Sequence, residues 1–391
     1  MKRILIWKKS VDGVLNAFKA NGYEPVNDLI VIPEEDLDKR KILFDKAVGN
    51  GLTHAFSFDF EINLARWCYE ANIEYISFTV DSPHNSLYSE MVRYKTNRIF
   101  VFDHDEYLLL KSQGKEHIYY LPMATDVKGL HKAAVGGINK EKFASDVEFM
   151  GNLYVDPVHN HYDQINYLPP YIDGYMDAIM DSQQKIWGMD LFREILSPAL
   201  RDELKKYIKF DLVNKYDDIF FDVVLDRTVG VKVTQLERKK MCSILAKYYD
   251  FKLYTGTDTS FDENIRNCGK VDYLKEMPVL FNTAKININL NMHCISSGIP
   301  LRVTDILACE GFCLTNYQPE IAEYFEDGVD LVMYNDIEDM LNKIDYYLEH
   351  EEERKLIAHN GYLKVKDDFD YSVRIRQILD VIENERTSDI K

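Results

Sequence analysis

The chain has 391 residues, 46% of them hydrophobic, and 65 Asp and Glu against 47 Lys and Arg give it a formal net charge of -18. At roughly 100–200 residues per domain this length predicts two domains with substantial cores. The acidic balance excludes a general nucleic-acid binder, whose polyphosphate the overall field would repel, and leaves open a small anionic ligand that answers to a local site.

The first third alternates strand and helix. RILIW (3–7) reads as a strand, VDGVLNAFKANGY (11–23) as an amphipathic helix closed by Gly22, and EPVNDLIVI as extended. HAFSFDF (54–60) and EYISFTVDSP (74–83) read as strands around the helix INLARWCYEANI (62–73). RIFVFD (98–103), the helix HDEYLLLKSQG and the strand HIYYLPMATD (117–126) complete the series. Short apolar strands separated by helices imply βαβ crossovers and a parallel sheet, in which ligands sit beyond the carboxyl ends of the strands. Residues 127–146, polar and with Gly-Gly inside, read as a linker.

A second alternating series follows. VEFMGNLYV (147–155) is a strand running into a Gly loop, 160–230 a largely helical block, and TQLERKKMCSILAKYY (234–249) a strong helix before the strand FKLYTG (251–256). KININLN (285–291), the helix–Gly–strand unit GIPLRVTDILACEGFCLTN (298–316) and VDLVMY (329–334) lead into a helical C-terminal region. The expected fold is α/β: two Rossmann-like, doubly wound domains facing each other across a cleft. An N-terminal domain covers 1–130 and a C-terminal one 145–366 with a helical insertion at 156–230, and the amphipathic segment within 367–391 is expected to pack back on the first. No stretch approaches the ~18 apolar residues of a membrane span. The N-terminus has too short an apolar run for a signal peptide. Six scattered Cys include no CxxC pair. The expectation is a soluble, cytoplasmic protein in a reducing compartment.

Two stretches carry candidate chemistry. Arg302 and Asp305, spaced i and i+3, open a helix just after the loop SSGIP (296–300). A helix start offers free N–H groups and a positive dipole to a phosphate, Arg adds a bidentate grip, and a carboxylate can accept from a ribose diol. The alternative is an exposed ion pair of little worth. In TVDSPH (79–84), Asp81 stands at a strand's end before a Pro-stiffened turn, placed to act as general base on a hydroxyl or simply to cap the loop. His84 can do the same or hold a sugar or phosphate. DHDE (103–106) reads as a helix N-cap with an acidic first turn rather than a metal site, and His54 reads as structural.

Residues 269–335, with the turn GKVDY, a strand ending in NLN, a basic residue and an acid opening the next helix, and then GFCLT, resemble the C-terminal domain of GT-B glycosyltransferases of the bacterial CgeB (spore-maturation) type. VEFMGNLYV, ISFTVDSPH, IFVFDHDEY and IYYLPMATD resemble the rest of that architecture, so the likeness covers most of the chain except 156–230. It implies transfer of a sugar from a nucleotide-sugar donor, a UDP-sugar, held on the C-terminal domain, to a glycan, protein or small-molecule acceptor on the N-terminal one. It implies no metal and no other cofactor. By residue, Asp305 falls at the ribose-binding acid of the related retaining enzymes, and Ser297 stands where their first Glu would fall. The loop with Ser296, Ser297 and Gly298 would then offer hydroxyls and N–H groups to the sugar and diphosphate. Gly269, Lys270 and Val271 match the turn whose backbone reads the base, or form an ordinary loop. Gly151 and Asn152 match the Gly-rich turn facing the diphosphate, or a plain tight turn. Arg238 reaches the phosphates or lies on a solvated helix face, and His293 follows the donor strand. Two rival readings stay open: a nucleotide-sugar epimerase, and a non-catalytic subunit that kept the fold to bind a partner; the block 156–230 is an acceptor or partner surface or simply a helical elaboration.

Overall fold

The computed structural model describes residues 2–8, 12–26, 32–33, 36–208 and 216–388. The chain divides into two compact units, the first formed by residues 1–126, 213–220 and 367–391 and the second by 127–212 and 221–366.

The first unit begins with β1 (Lys2–Ile6), α1 (Asp12–Ala20) and β2 (Tyr23–Val26). The remainder of the segment expected to be extended after β2 lies largely outside the described residues. Next come α2 (Leu37–Gly49), β3 (His54–Phe58), α3 (Ile62–Ala71), β4 (Glu74–Phe78), β5 (Asn97–Val101), α4 (His104–Ser112) and β6 (Ile118–Tyr120). All pairings are parallel, in the order β2-β1-β3-β4-β5-β6. The apolar runs Ile4, Ile6, Phe56, Ile76, Phe78 and Phe100 face Val14, Ala17 and Phe18 of α1 and Ile375, Ile378 and Ile382 of the C-terminal helix Tyr371–Ser388. The spacing of those helical residues puts them on one stripe.

The second unit opens with a correction. Residues 127–146 are no linker: α5 (Val127–Val135) buries Val127, Leu130 and Ala134, and α6 (Lys140–Phe143) follows. After β7 (Val147–Met150) come α7 (Pro170–Gln183), α8 (Leu191–Ile195) and α9 (Pro198–Leu204), which close their own apolar core on α10 (Phe220–Tyr248) through Ile172, Met176, Leu204, Leu225 and Val229. That helix runs unbroken for 29 residues where the sequence suggests a block ending at 230 and a new helix from 234. Gly230 sits inside it because a Cβ there would lie 2.8 Å from the backbone nitrogen of Cys294. Then follow β8 (Phe251–Tyr254), α11 (Met277–Thr283), β9 (Ile286–Asn289), α12 (Leu301–Ala308), β10 (Cys313–Asn316), α13 (Pro319–Tyr324), β11 (Val332–Tyr334), α14 (Ile337–Glu349) and α15 (Glu351–Asp368). This sheet is also parallel, ordered β11-β10-β9-β7-β8. Strand order reverses at β1/β3 in the first sheet and β7/β9 in the second, the switch points where such sheets leave a crevice for ligands. All six cysteines are free thiols.

Candidate functional site

In the second unit a cavity of about 850 Å³ opens at the carboxyl ends of β7 and β8. It gathers Gly151, Asn152, Lys270, Val271 and Arg302 of the sequence-derived residues, with Gly256 and Lys239 beside them. A Cβ on Gly151 would stand 2.9 Å from the Phe149 ring, so the β7 exit must be bare there. Asn152 ties the two strand ends together, its side-chain oxygen accepting from Tyr154 N–H at 2.7 Å and from Thr257 Oγ1 at 3.1 Å. Gly269 takes φ +78°, the left-handed region that suits glycine, and its N–H donates to Asn267 Oδ1 at 2.9 Å, turning the chain so that Lys270 reaches the cavity.

The lining is cationic on an acidic chain. Lys239 lies 4.6 Å over the Phe261 ring. Arg302 lies 5.3 Å over the Phe281 ring and 3.6 Å from Asp305. The two lining carboxylates are held in local turns. Asp258 accepts from Ser260, whose hydrogen bonds bring it below the usual carboxylate range, and Asp156 accepts from Val158 N–H at 2.8 Å. Behind Arg302, Glu148 on β7 is fully buried. Neither of its oxygens has a hydrogen-bond partner among the described residues, and burial pushes it up to about 8 against the pull of the Arg302 charge.

Other residues singled out from sequence lie elsewhere. Arg238 is not a solvated helix residue: it is buried, its guanidinium donates to Asn152 O at 2.7 Å and to Leu290 O at 2.6 Å, and burial lowers its pKa. It is a strut between the exits of β7 and β9. Asp305 is 1% exposed beneath the cavity, not part of an exposed pair, and both its oxygens accept from the Tyr273 hydroxyl at 3.0 Å. Ser297 Oγ donates to Glu320 Oε1 at 2.7 Å, and Gly298 is buried behind it. His293 pairs with Glu237 at 2.6 Å, stacks on Trp187 at 4.0 Å, and shares a narrow crevice with Ser296, outside the cavity.

In the first unit, Asp81 and His84 lie together beyond β4, joined by a residue the sequence reading passed over. Asp59 follows β3 in the left-handed region at φ 56°, and its Oδ1 accepts from Val80 N–H at 2.9 Å and Asp81 N–H at 3.3 Å. His84 Nδ1 is 3.8 Å from Asp59 Oδ1 and its Nε2 is 3.4 Å from Phe60 O. One polar atom each from Asp59, Asp81 and His84 fall within 4.8 Å of one another. Burial raises Asp59 against the His84 charge. Asp103 caps α4 and accepts from Ser82 Oγ at 3.1 Å. Glu106 accepts from His84 N–H at 2.9 Å and from the Tyr88 hydroxyl at 3.2 Å, and burial pushes it up to about 7. His54, as expected of a structural residue, is buried, packed edge-on against Tyr23.

Two parallel doubly wound units of this kind define the GT-B fold. Sucrose-phosphate synthase from Thermosynechococcus elongatus is similar with a TM-score of 0.53 at 10% identity, over 98% of this chain and 100% of that one. The UDP-forming α,α-trehalose-phosphate synthase from Burkholderia vietnamiensis scores 0.52 at 9% identity, over 98% and 100%. Anabaena HepE in complex with UDP-glucose scores 0.51 at 11% identity, over 98% and 100%. A family model described as glycosyl transferase-like matches residues 235–380, from α10 into the C-terminal helix. No curated protein matches the sequence significantly. Among the described residues, no helix is long and apolar enough to cross a membrane.

Proposed function

We propose that this chain is a glycosyltransferase that binds a nucleotide-sugar, a UDP-sugar, in the cavity of its second unit and transfers the hexosyl or N-acetylhexosaminyl group to an acceptor hydroxyl activated in its first unit. The observation that carries the reading is the cavity itself: Lys239, Lys270 and Arg302 line it at the carboxyl ends of parallel strands in a chain of net charge -18. The glycosyl transferase-like match over residues 235–380 supports it. So do two structural neighbours, one a UDP-forming synthase and one in complex with UDP-glucose.

In this reading the acceptor oxygen attacks the anomeric carbon and the bond from that carbon to the diphosphate oxygen breaks. Its electron pair leaves with the diphosphate, whose growing charge Arg302 and the lysines stabilise. The hydroxyl proton passes to His84 or Asp81. Cations of the chain itself do the work a metal would otherwise do, so binding is expected without Mg²⁺. The likeness to the CgeB type belongs to the same proposal, as does a cytoplasmic location.

A thermal-shift panel of UDP, GDP, dTDP, ADP and CMP, with and without Mg²⁺, tests it on wild type and Arg302→Met. A ligand of the native state raises the melting temperature by mass action. The proposal expects a metal-independent rise with UDP that Arg302→Met diminishes. No rise with any nucleotide sinks it and leaves the partner-binding alternative. Free sugar-nucleotide isomers formed from donor alone would favour the epimerase.

A further inference from the structure

Behind Arg302 the second sheet carries a row of polar side chains. Facing alternates along each strand. Val147, Phe149, Ile286 and Ile288 point into the main apolar core of the unit. Their neighbours Lys252, Glu148, Asn287 and Cys313, which stand opposite one another in the ladder, therefore point to the other face, toward α11 and α12. This row has acceptors in excess. Glu148 is fully buried and neither of its oxygens meets a donor among the described residues. Asn287 Nδ2 donates to Phe281 O and to Phe312 O, both at 3.0 Å. That fixes the sense of the amide, because the flipped group would set its oxygen against two carbonyls. Asn287 Oδ1 is then also buried without a donor among the described residues. Lys252 is engaged elsewhere, its Nζ donating to Lys142 O at 2.9 Å and Ala144 O at 2.7 Å.

An unpaired carboxylate in that place is strongly unfavourable. A carboxylic acid is not, since it brings the one donor that Asn287 Oδ1, directly across the strand pair, lacks. Burial accordingly pushes Glu148 up to about 8. The remaining groups around it lead to the cavity. Arg302 and Tyr254 both line it. Burial first, and then Cys268 and Glu148, raise the Tyr254 hydroxyl, and burial with Glu148 raises the Cys313 thiol, so both stay neutral. On α12, Asp305 stands 3.6 Å from Arg302, and α11 brings no charged side chain. Arg302 and Asp305 cancel in charge. An ionised Glu148 behind them would leave this wall net negative, against the anion that the cavity is proposed to hold.

We propose that Glu148 is a positioning residue of the donor site: it works as the neutral acid, its proton donated to Asn287 Oδ1, and so leaves the Arg302 charge to the diphosphate. This rests on the donor site proposed above and adds a residue that does not itself line the cavity. Loss of the proton lets the carboxylate draw on the guanidinium, so that the nucleotide and the ionised Glu148 compete for one cation. Affinity is then full while Glu148 is neutral and falls as pH rises through its folded value. Binding above that value takes a proton from solvent back onto Glu148.

Titration calorimetry of UDP at pH 7 and pH 9, each in two buffers of different ionisation enthalpy, reads both the affinity and the protons taken up on binding. Wild type is expected to bind about tenfold more weakly at pH 9, and to take up close to one proton there and almost none at pH 7, the behaviour of a single acid titrating near 8. Glu148→Gln, a permanently neutral isostere whose amide still donates to Asn287, should lose both the fall and the uptake. Arg302→Met should bind weakly at both pH values with the fall gone, because Glu148 acts only through that charge. A merely structural role would lower the melting temperature of Glu148→Gln and leave the proton count at wild type. That result overturns the inference. So does wild-type affinity that is equal at pH 7 and pH 9, or Glu148→Gln binding tenfold more weakly than wild type at pH 7. If Glu148→Gln does not fold, the proton counts of wild type and Arg302→Met decide: equal counts overturn the inference. Wild type binding no nucleotide at either pH overturns the donor site itself, and this inference with it.

Discussion

The two units share a topology and hold the loops beyond their strand exits with opposite charges. In the second, a buried cation does the holding: Arg238 reaches out to the carbonyls of Asn152 and Leu290 at the ends of two strands. In the first, carboxylates do it: Asp59, Asp103 and Glu106 take the N–H groups of residues 80, 81 and 84 and the hydroxyl of Ser82. A loop fixed by guanidinium leaves a positive surround for an anion. A loop fixed by carboxylates leaves an environment that welcomes a proton. The contrast teaches that a repeated fold can give its strand exits two different electrostatic surroundings through the sign of its buried struts.

The sharpest break of that contrast is kinetic. His84→Gln is expected to lower turnover by about 10²–10⁴-fold, the range for a lost general base, while UDP affinity stays at wild type. Donor affinity falling in parallel would show that the two loops do not divide the work. The next effect is on stability against pH. Glu148 has no hydrogen-bond partner among the described residues and a folded pKa of about 8, raised from 4.5 by burial. The folded protein therefore holds this proton across a window where the unfolded chain has lost it. Its contribution is full below 4.5, falls as pH rises, and levels off above about 8. At about 1.4 kcal/mol per unit the total is on the order of 5 kcal/mol. Urea unfolding at pH 5 and pH 9 should show Glu148→Gln flattening this slope, and Glu106→Gln flattening a shallower one ending near 7.

Removing the cationic strut comes third. Arg238→Met leaves two carbonyls without their donor and should cost about 3 kcal/mol, read by urea denaturation. Smallest is a control away from both loops. Glu310 accepts from His131 at 3.1 Å and His359 at 2.7 Å. Burial alone would raise it, yet those histidines bring it below its ordinary value. Its stabilisation is present above 4.5 and lost as pH falls through the lowered pKa. Because the group is partly exposed and solvent screens it, Glu310→Gln should change stability by at most about 1 kcal/mol, measured at pH 7 and pH 4.

The alternation of strands and helices was legible because each strand is a compact apolar run. Helix α2 was not read, since its buried stripe is Arg40, Phe44 and Ala47, with an arginine at a core position that hides the period. The Arg40 guanidinium is satisfied by the carbonyls of Trp7, Ile32 and Pro33, contacts no local pattern announces. The stripe of α5 is short, and its Gly-Gly end suggested a linker, whereas packing against α11 and α12 makes it a helix. The boundary drawn at 230 does not exist, because Gly230 lets the helix run on past the Cys294 backbone. At the candidate site, glycines and cations at strand exits were readable from position. Which polar helix residues turn inward was not: Arg238 and Asp305 follow from tertiary contacts, and Asp59 was absorbed into the strand it terminates.

The first unit is composed of three separated stretches of chain, and its core takes Ile375, Ile378, Leu379 and Ile382 from the last of them. On the ribosome its six strands are made before the second unit, yet the helix that covers one face of them is made after it. The second unit is almost contiguous and has all its parts by residue 366. Order of synthesis and order of completion are thus reversed: the unit begun first is finished second, and its early sheet must wait through some 240 further residues with apolar side chains uncovered, a length read from the gap between 126 and 367. For a nascent chain that interval is a time of exposure, and a chain cut short before its final helix would carry the same uncovered sheet for good.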